Sequence, residues 1–341
     1  MFILKSQISI INKMKNSPIS RRKFIGTAAG AAALSVVPFI HSFAIGTQTK
    51  KPNSKVGGVQ LGLTTYCYRD IPHKVEEVLQ YVLQAGVNTL EMRSVLEESL
   101  GIPQAPPRPA QGVVLTDAEK AERKKITEGL TESQKKWRLS LPMQKYVDIR
   151  KMYKKAGVDI HIAKFVPSSW SDEEIDYAYN AAKKLGAYGI TDEFTDEASK
   201  RLGPFAEKHK SLAIYHTHGQ FGMPGFDIDK YLGYSPANRL NLDIGHYFGS
   251  TGLHPNNIIE KYHKLIPSIH VKDKTGPKNA QPNANREFGK GETPIKDVLL
   301  LIKKEKWPIN VDLELEYPVP EGSDPVKEVI KCIEYMRGIL E

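Results

Sequence analysis

A short apolar segment, a polar loop and an amphipathic helix recur in turn from Val59 to the end of the chain, and this alternation constrains the fold more than any other feature. Eight strands alternating with helices over about 280 residues have the size and rhythm of a (β/α)8 barrel. The predicted strands are Gln60–Tyr66, Thr89–Arg93, Asp159–Phe165, Gly189–Glu193, Leu212–His218, Arg239–Ile244, Ser268–Lys272 and Ile309–Glu316. The predicted helices are Val75–Ala85, Ile149–Ala156, Glu173–Leu185, Thr195–His209, Asn256–Leu265, Ile295–Lys304 and Pro325–Leu340.

A doubly wound open sheet is the alternative architecture, but no Gly-rich dinucleotide fingerprint follows the first predicted strand. The missing fingerprint also disfavours a nucleotide-dependent redox enzyme. We therefore predict an α/β protein whose single domain, residues 59–341, is a TIM barrel.

One segment, Ser94–Leu141, interrupts the alternation after the second strand and is too long for an ordinary loop. Within it, Thr116–Trp137 reads as a charged helix that begins with a possible capping box, Thr116-Asp-Ala-Glu119. We predict a helical insertion with a solvated face. Because it leaves the C-terminal side of a barrel strand, covering the active-site mouth is the alternative role.

The N-terminus has the pattern of an export signal. Ser20-Arg-Arg-Lys-Phe-Ile-Gly26 matches the twin-arginine pattern, an apolar run extends from Ile25 to Ile40, and Ser42-Phe-Ala44 is a plausible cleavage site. We predict a signal peptide at residues 1–44, a linker at 45–58, and an exported, periplasmic protein handled by the twin-arginine translocation machinery. Translation from Met1 or from Met14 is left open.

Charge, hydropathy and cysteine content limit the partners. The signal peptide contains six Lys and Arg residues and no acids, so its removal reduces the formal net charge from +9 to +3, and nucleic-acid binding is not expected. No run of eighteen apolar residues occurs, so no stable membrane insertion is expected after processing. Cys67 and Cys332 are the only cysteines; we favour two buried thiols, with a single disulfide as the alternative.

Polar side chains end the later predicted strands, and the two-residue period of a strand places many of them on one face. Asp243 lies at the end of the sixth strand, with His246 just beyond it. The shared inward positions on the fifth, seventh and eighth strands are His216 and His218, His270 and Lys272, and Asp312, Glu314 and Glu316. Burying so many unpaired ionisable groups costs several kcal/mol each. A divalent cation bound by carboxylates and an imidazole would remove most of that cost.

The motifs Asp243-Ile-Gly-His246, His270-Val-Lys-Asp273, His216-Thr-His218-Gly219 and Glu314-Leu-Glu316, with the turn Phe288-Gly-Lys-Gly291, resemble the xylose isomerase-like TIM-barrel superfamily. This superfamily includes sugar and sugar-phosphate isomerases and epimerases, inosose dehydratases and endonuclease IV. The resemblance covers roughly residues 59–340. The additional ligands that endonuclease IV uses for its three zinc ions cannot be placed here.

The resemblance implies a set of metal ligands and a set of catalytic roles. The implied ligands of a divalent Mn, Co, Zn or Mg ion are Glu193, Asp243, His270 and Glu314, with Glu316 as the alternate to Glu314. Asp192 adjoins Glu193, and only one of these two can point inward. Glu193 and Glu314 are the implied base and acid. His246 would contact a substrate hydroxyl, while His218 and Lys272 would bind hydroxyls or stabilise developing charge.

Four other residues near the predicted site are assigned structural roles, or are left open between a structural role and a substrate contact. His216 lies deeper on its strand and is interpreted as structural, and Asp273 is expected to fix Lys272 or the loop that follows. Glu91 is expected either to pair with Arg93 or a neighbouring strand, or to contact the substrate. Trp170 packs internally or stacks on a sugar ring.

Three functions remain in competition. The first is a metal-dependent isomerase or epimerase that acts on a free keto-sugar or related polyol through an enediolate. The second is a lyase or dehydratase that uses the same site for β-elimination, for example on a 3-keto-glycoside. The third is a non-catalytic sugar-binding barrel. All three imply a small carbohydrate ligand; related barrels are often oligomeric, but no interface can be located.

Overall fold

The computed structural model describes residues 51–93, 95–106 and 115–341. The predicted signal peptide, both candidate start sites and residues 45–50 of the predicted linker lie outside these ranges. No helix in the described part of the chain combines the length and the hydropathy that a membrane span requires.

Eight parallel strands form a closed barrel, which confirms the predicted fold. They lie side by side in chain order, and the first strand pairs with both the second and the last. A short strand, β1 (Lys55–Val56), precedes them. The barrel strands are β2 (Val59–Thr64), β3 (Thr89–Met92), β4 (Asp159–Lys164), β5 (Gly189–Glu193), β6 (Leu212–His216), β7 (Asn238–Asp243), β8 (Ser268–Val271) and β11 (Asn310–Leu313), with β9 (Asp273–Lys274) and β10 (Asn285–Arg286) paired in the loop after β8.

Helices surround the barrel. They are α1 (Val75–Gln84), α2 (Val95–Ser99), α3 (Asp117–Ser140), α4 (Gln144–Ala156), α5 (Asp172–Leu185), α6 (Asp196–His209), α7 (Ile228–Leu232), α8 (Ile244–Thr251), α9 (Asn256–Tyr262), α10 (Ile295–Glu305) and α11 (Pro325–Leu340). Gly157 and Gly186 end α4 and α5 in the left-handed conformation (φ 84° and 87°), which only glycine adopts without strain.

Alternate strand residues divide between two environments. Apolar side chains such as Leu63, Val271 and Leu313 are fully buried in the core between the barrel and its helices. The intervening positions face the barrel interior and are unusually polar. Deep inside, His161 lies 2.8 Å from Thr89 Oγ1 through Nδ1 and 2.9 Å from Asp312 Oδ2 through Nε2.

The predicted linker ends before residue 58. Lys55–Val56 pairs in antiparallel fashion with the start of β2, and the fully buried Ser54 hydroxyl donates to the Leu61 carbonyl at 2.6 Å. A polar composition did not reveal this hairpin, because its backbone pairing needs little apolar side-chain area.

The insertion contains the expected helix. In α3, Thr116 is the N-cap and forms a reciprocal capping box with Glu119, as predicted, and the helix continues three residues beyond Trp137. Most of α3 is exposed. Its main internal anchor is Arg138, which pairs with Glu97 at 2.9 Å and Glu174 at 3.0 Å.

The structure tests three local predictions, which concern the two cysteines, the end of the sixth strand and Trp170. Cys67 and Cys332 are free and buried, which confirms the favoured alternative. The sixth strand ends one residue earlier than predicted, because Asp243 becomes the N-cap of α8, a helix the sequence did not indicate. The Trp170 ring lies 3.5 Å below the Arg138 guanidinium, a packing role.

Candidate metal centre and active site

Four side chains from neighbouring strands converge in the barrel interior. They are His216 at the end of β6, Asp243 at the end of β7, His270 on β8 and Glu314 just past β11. Each offers a ligand atom, these atoms lie within 4.8 Å of one another, and all four residues are buried. Ligand atoms bound to one ion at about 2.0–2.2 Å lie at most about 4.4 Å apart. The group therefore needs to contract to hold a divalent metal.

His216 joins this group in place of a purely structural role. Asn241 Nδ2 donates to Ser268 Oγ at 2.6 Å, so Asn241 Oδ1 is an acceptor and fixes the proton of His216 on Nδ1, 2.9 Å away. Burial holds the pKa of His216 well below its ordinary value, so the ring is neutral. A neutral imidazole with its other nitrogen directed to carboxylates is the form that binds a metal. The pairing of His216 with His218 on one strand face was the sequence signal.

His270 bridges two carboxylates. Its Nδ1 lies 3.1 Å from Glu314 Oε2 and its Nε2 lies 3.2 Å from Glu91 Oε2. Burial lowers the pKa of His270, but the Glu91 and Glu314 charges outweigh it and raise this pKa to about 10. Arg93 pairs with Glu314 Oε1 at 3.1 Å, so Glu91 is a partner of His270 and Arg93 a partner of Glu314.

Lys272 lies among three carboxylates. Its Nζ is 2.9 Å from Asp243 Oδ2, 2.7 Å from Glu314 Oε2 and 2.8 Å from Glu316 Oε2. The side chain is 2% exposed. The amine predicted to bind hydroxyls is thus committed to the acidic groups of the site.

Glu193 lies outside the convergent group. Its Oε1 accepts from Lys164 Nζ at 2.7 Å, and its Oε2 lies 3.1 Å from His218 Nδ1. Burial raises the pKa of Glu193, but His218 and Lys164 together hold it at about 2. The adjoining Asp192 accepts from the Ser168 and Glu193 backbone amides instead. Sequence reasoning did not single out Lys164, the last residue of β4.

His246 lies at the mouth, on the first turn of α8. Its backbone N–H donates to Asp243 Oδ1 at 2.8 Å, so the aspartate both caps the helix and faces the metal group. The His246 ring lies 4.9 Å from the His218 ring, and its Nε2 lies 3.7 Å from Glu316 Oε2. Burial lowers the pKa of His246 to about 4, so the ring is neutral at neutral pH.

Asp273 fixes the loop after β8, one of its two expected roles. Its carboxylate accepts from the backbone amides of Gly289 and Gly291, both at 2.9 Å, and of Thr293 at 3.2 Å. A Cβ on Gly291 would lie 2.1 Å from Asp273 Oδ1, so only glycine permits this approach. The Gly-Lys-Gly turn is therefore structural.

No family model and no curated protein matches the chain, but solved structures match its fold. A sugar phosphate isomerase/epimerase from Parabacteroides distasonis is 16% identical with a TM-score of 0.52, covering 83% of this chain and 96% of that one. D-psicose 3-epimerase in the presence of D-fructose is 12% identical with a TM-score of 0.55, covering 83% and 99%. The probable 3-DHS dehydratase involved in petrobactin synthesis from Bacillus anthracis is 13% identical with a TM-score of 0.54, covering 82% and 98%.

The chain has the TIM-barrel fold of these structures. At identities this low, the likeness establishes the architecture, and the chemistry must be argued from the site.

Proposed function

We propose that this xylose isomerase-like barrel is a metal-dependent isomerase or epimerase of a free keto-sugar or related polyol. The observation that carries the proposal is the buried group of two histidines and two carboxylates at the C-terminal ends of adjacent strands, where TIM barrels hold their active sites. Its nitrogen and oxygen donors suit Mn, Co or Zn, with Mg less favoured by the imidazoles. The similarity to sugar epimerases and isomerases supports a carbohydrate substrate.

His216, Asp243, His270 and Glu314 would hold the metal, and His270, whose pKa is raised to about 10, would lose its proton on binding. When bound, the metal supplies Lewis-acid polarisation of a carbonyl group. Both Glu314 oxygens are already paired, with Arg93, His270 and Lys272, so a ligand role suits Glu314 better than proton transfer.

Glu193 is the best-placed base. It is ionised, lies at the mouth and is held by Lys164 and His218. In the proposed reaction, its carboxylate removes the proton from the carbon beside the substrate carbonyl, and the electron pair moves to the carbonyl oxygen to give an enediolate. Delivery of a solvent proton to the opposite face of the same carbon gives the epimer. Delivery of a proton to the former carbonyl carbon, with loss of the proton from the neighbouring hydroxyl so that this oxygen becomes the new carbonyl, gives the isomer. Neutral His246 would hydrogen-bond a substrate hydroxyl.

The alternative is a lyase or dehydratase, favoured by the likeness to the 3-DHS dehydratase. The same enediolate expels a leaving group from the adjacent carbon. His218, at the mouth and 3.1 Å from Glu193, would donate the proton to the departing oxygen. We also propose that the chain is exported through the twin-arginine route, which makes free sugars and glycosides the accessible substrates.

Solvent-isotope exchange tests the proposed function. The protein, supplied with Mn²⁺, is incubated with keto-sugars and 3-keto-glycosides in D₂O, and deuterium at carbon and product mass are followed by mass spectrometry. We expect exchange with retained carbon skeleton; release of an aglycone instead identifies the lyase. Glu193→Gln should lower exchange by at least about a hundredfold while metal content is unchanged.

Glu197→Gln, the same substitution on an exposed residue of α6, is the matched control and should behave as wild type. Full exchange by Glu193→Gln removes this residue from the role of base. Tight sugar binding by the wild type without exchange or product favours the non-catalytic sugar-binding barrel.

A further inference from the structure

We propose that Lys272 is a built-in cation that competes with the metal ion for the site, and that Glu316 is the carboxylate to which its ammonium group retreats when metal binds. The inference rests on the proposed metal-dependent function. It concerns how strongly this chain holds the metal.

The ammonium group occupies the carboxylate oxygens that remain for a cation. Asp243 Oδ1 accepts the His246 backbone N–H, and Glu314 Oε1 is paired with Arg93. The other two oxygens, Asp243 Oδ2 and Glu314 Oε2, lie 2.9 Å and 2.7 Å from Lys272 Nζ, and His270 Nδ1 also lies 3.1 Å from Glu314 Oε2. Within the described part of the chain, this buried Asp243 oxygen has no hydrogen bond, only the ion pair with Lys272.

Two cations cannot share these oxygens at full strength. A metal ion bound to both would lie within a few ångströms of the ammonium nitrogen, in a buried interior where like charges are poorly screened. Metal entry therefore requires Lys272 Nζ to withdraw from Asp243 and Glu314.

A destination for the withdrawn ammonium group already exists. Glu316 Oε2 lies 2.8 Å from Lys272 Nζ, and Glu316 is outside the group of four convergent ligands. Its side chain is more exposed than that of Glu314, 18% against 2%. The ammonium group can thus keep one carboxylate partner while it leaves the other two.

The backbone of α8 leaves space for the aliphatic part of the Lys272 side chain. A Cβ on Gly245 would lie 2.5 Å from Lys272 Cγ, so the glycine at the start of α8 leaves the room that the lysine stem occupies. The stem is fixed by this packing, and the movement is confined to the end of the side chain.

Metal titration of the full-length chain tests the inference. Chelator-treated wild type, Lys272→Met, Glu316→Gln and the double variant are titrated with MnCl₂ by calorimetry at one pH and ionic strength. We expect Lys272→Met to bind Mn²⁺ at least about tenfold more tightly and to unfold at a lower temperature without metal. Glu316→Gln should bind Mn²⁺ several-fold more weakly, because the Lys272 ammonium group then has no other carboxylate to pair with when metal binds.

The double variant separates the two possible roles of Glu316. If Glu316 acts only through Lys272, Glu316→Gln has no effect on affinity in the Lys272→Met background. An equal weakening in both backgrounds would instead show that Glu316 ligates the metal, and would overturn the retreat. Lys272→Gln, which keeps polarity without charge, repeats the comparison if Lys272→Met does not fold.

Lys164→Met is the matched control, because Lys164 is also a buried lysine but pairs with Glu193. An equal gain in affinity from Lys164→Met and Lys272→Met would reveal a general charge effect and overturn the competition. If the wild type binds Mn²⁺ and Lys272→Met binds it with the same affinity, the competition is overturned but the metal-dependent function is not. If neither protein binds Mn²⁺, Co²⁺ or Zn²⁺, the metal-dependent function fails with it, whereas binding by Lys272→Met alone supports the competition.

Discussion

At the residue scale, the charges inside the barrel are arranged in pairs and triads. His161 bonds Asp312 in the deep layer, and above it His270 lies between Glu91 and Glu314. Isolated buried charges are strongly destabilising, whereas paired ones approach neutrality in free energy. The polar interior is therefore tolerated because nearly every charge has an opposite charge within contact distance.

Two histidines are exceptions, because burial disfavours the ionisation of both His216 and His246. His246 should give the folded protein a pH dependence. Its pKa of about 4, set mainly by burial, lies below the usual 6.5. Between these values the unfolded chain binds more protons, so the free energy of unfolding should fall as pH decreases from 6.5 to 4, by at most about 3 kcal/mol from this residue.

Denaturant unfolding of the metal-free protein between pH 4.5 and 7.5 measures this effect. Relative to wild type, His246→Gln should become progressively more stable as the pH falls. The more exposed His254 gives the control substitution, His254→Gln. Parallel curves for wild type and His246→Gln would mean that burial does not suppress the charge on His246.

At the element scale, α3 depends on one buried side chain. Arg138 donates to Glu97 and Glu174, and its guanidinium covers Trp170. Arg138→Met leaves two buried carboxylates, those of Glu97 and Glu174, without this cation, so we expect a loss of about 3–5 kcal/mol in the free energy of unfolding. Hydrogen exchange should increase along residues 117–140 before the barrel strands.

Arg138→Lys keeps the charge but loses the planar guanidinium group. Its free energy of unfolding should therefore lie between those of wild type and Arg138→Met. The exposed Lys136, paired with Glu132 on the same helix, supplies the control Lys136→Met, with an expected effect within about 1 kcal/mol. If α3 exchanges its amide hydrogens at the wild-type rate in Arg138→Met, other contacts hold the insertion in place.

The sequence predicted which helices and strands exist more reliably than where they end and which inward side chains meet. Strand alternation continues past the last ladder bonds, so β6 and β11 were extended to His218 and Glu316 but end at His216 and Leu313. The helix α8 was missed because Gly, His, Tyr and Phe are poor helix formers, and its start depends on the Asp243 cap. Inward parity marked His216, whereas the family resemblance marked Glu193. Only the stagger between strands, which no local pattern encodes, decides that His216 reaches the convergent group.

At the scale of the whole molecule, the proposed ligands join four adjacent strands along the barrel wall, β6, β7, β8 and β11. A metal that binds only the folded arrangement adds its binding free energy to the stability of the complete barrel, about 2.7 kcal/mol at a hundredfold excess over the dissociation constant. For a domain of this size, that raises the unfolding temperature by roughly 5 °C. We expect such a rise when MnCl₂ is added to the wild-type protein.

Two buried histidines of the same barrel distinguish site binding from general stabilisation. His270→Ala removes a convergent ligand and should abolish the Mn²⁺-dependent rise. His161→Ala leaves Asp312 unpaired in the deep layer, so it should lower the unfolding temperature of the metal-free protein. Because His161 lies outside the convergent group, the rise on adding Mn²⁺ should persist in that variant. A rise that survives His270→Ala, or disappears with His161→Ala, would place the metal elsewhere and separate the polar barrel interior from metal binding.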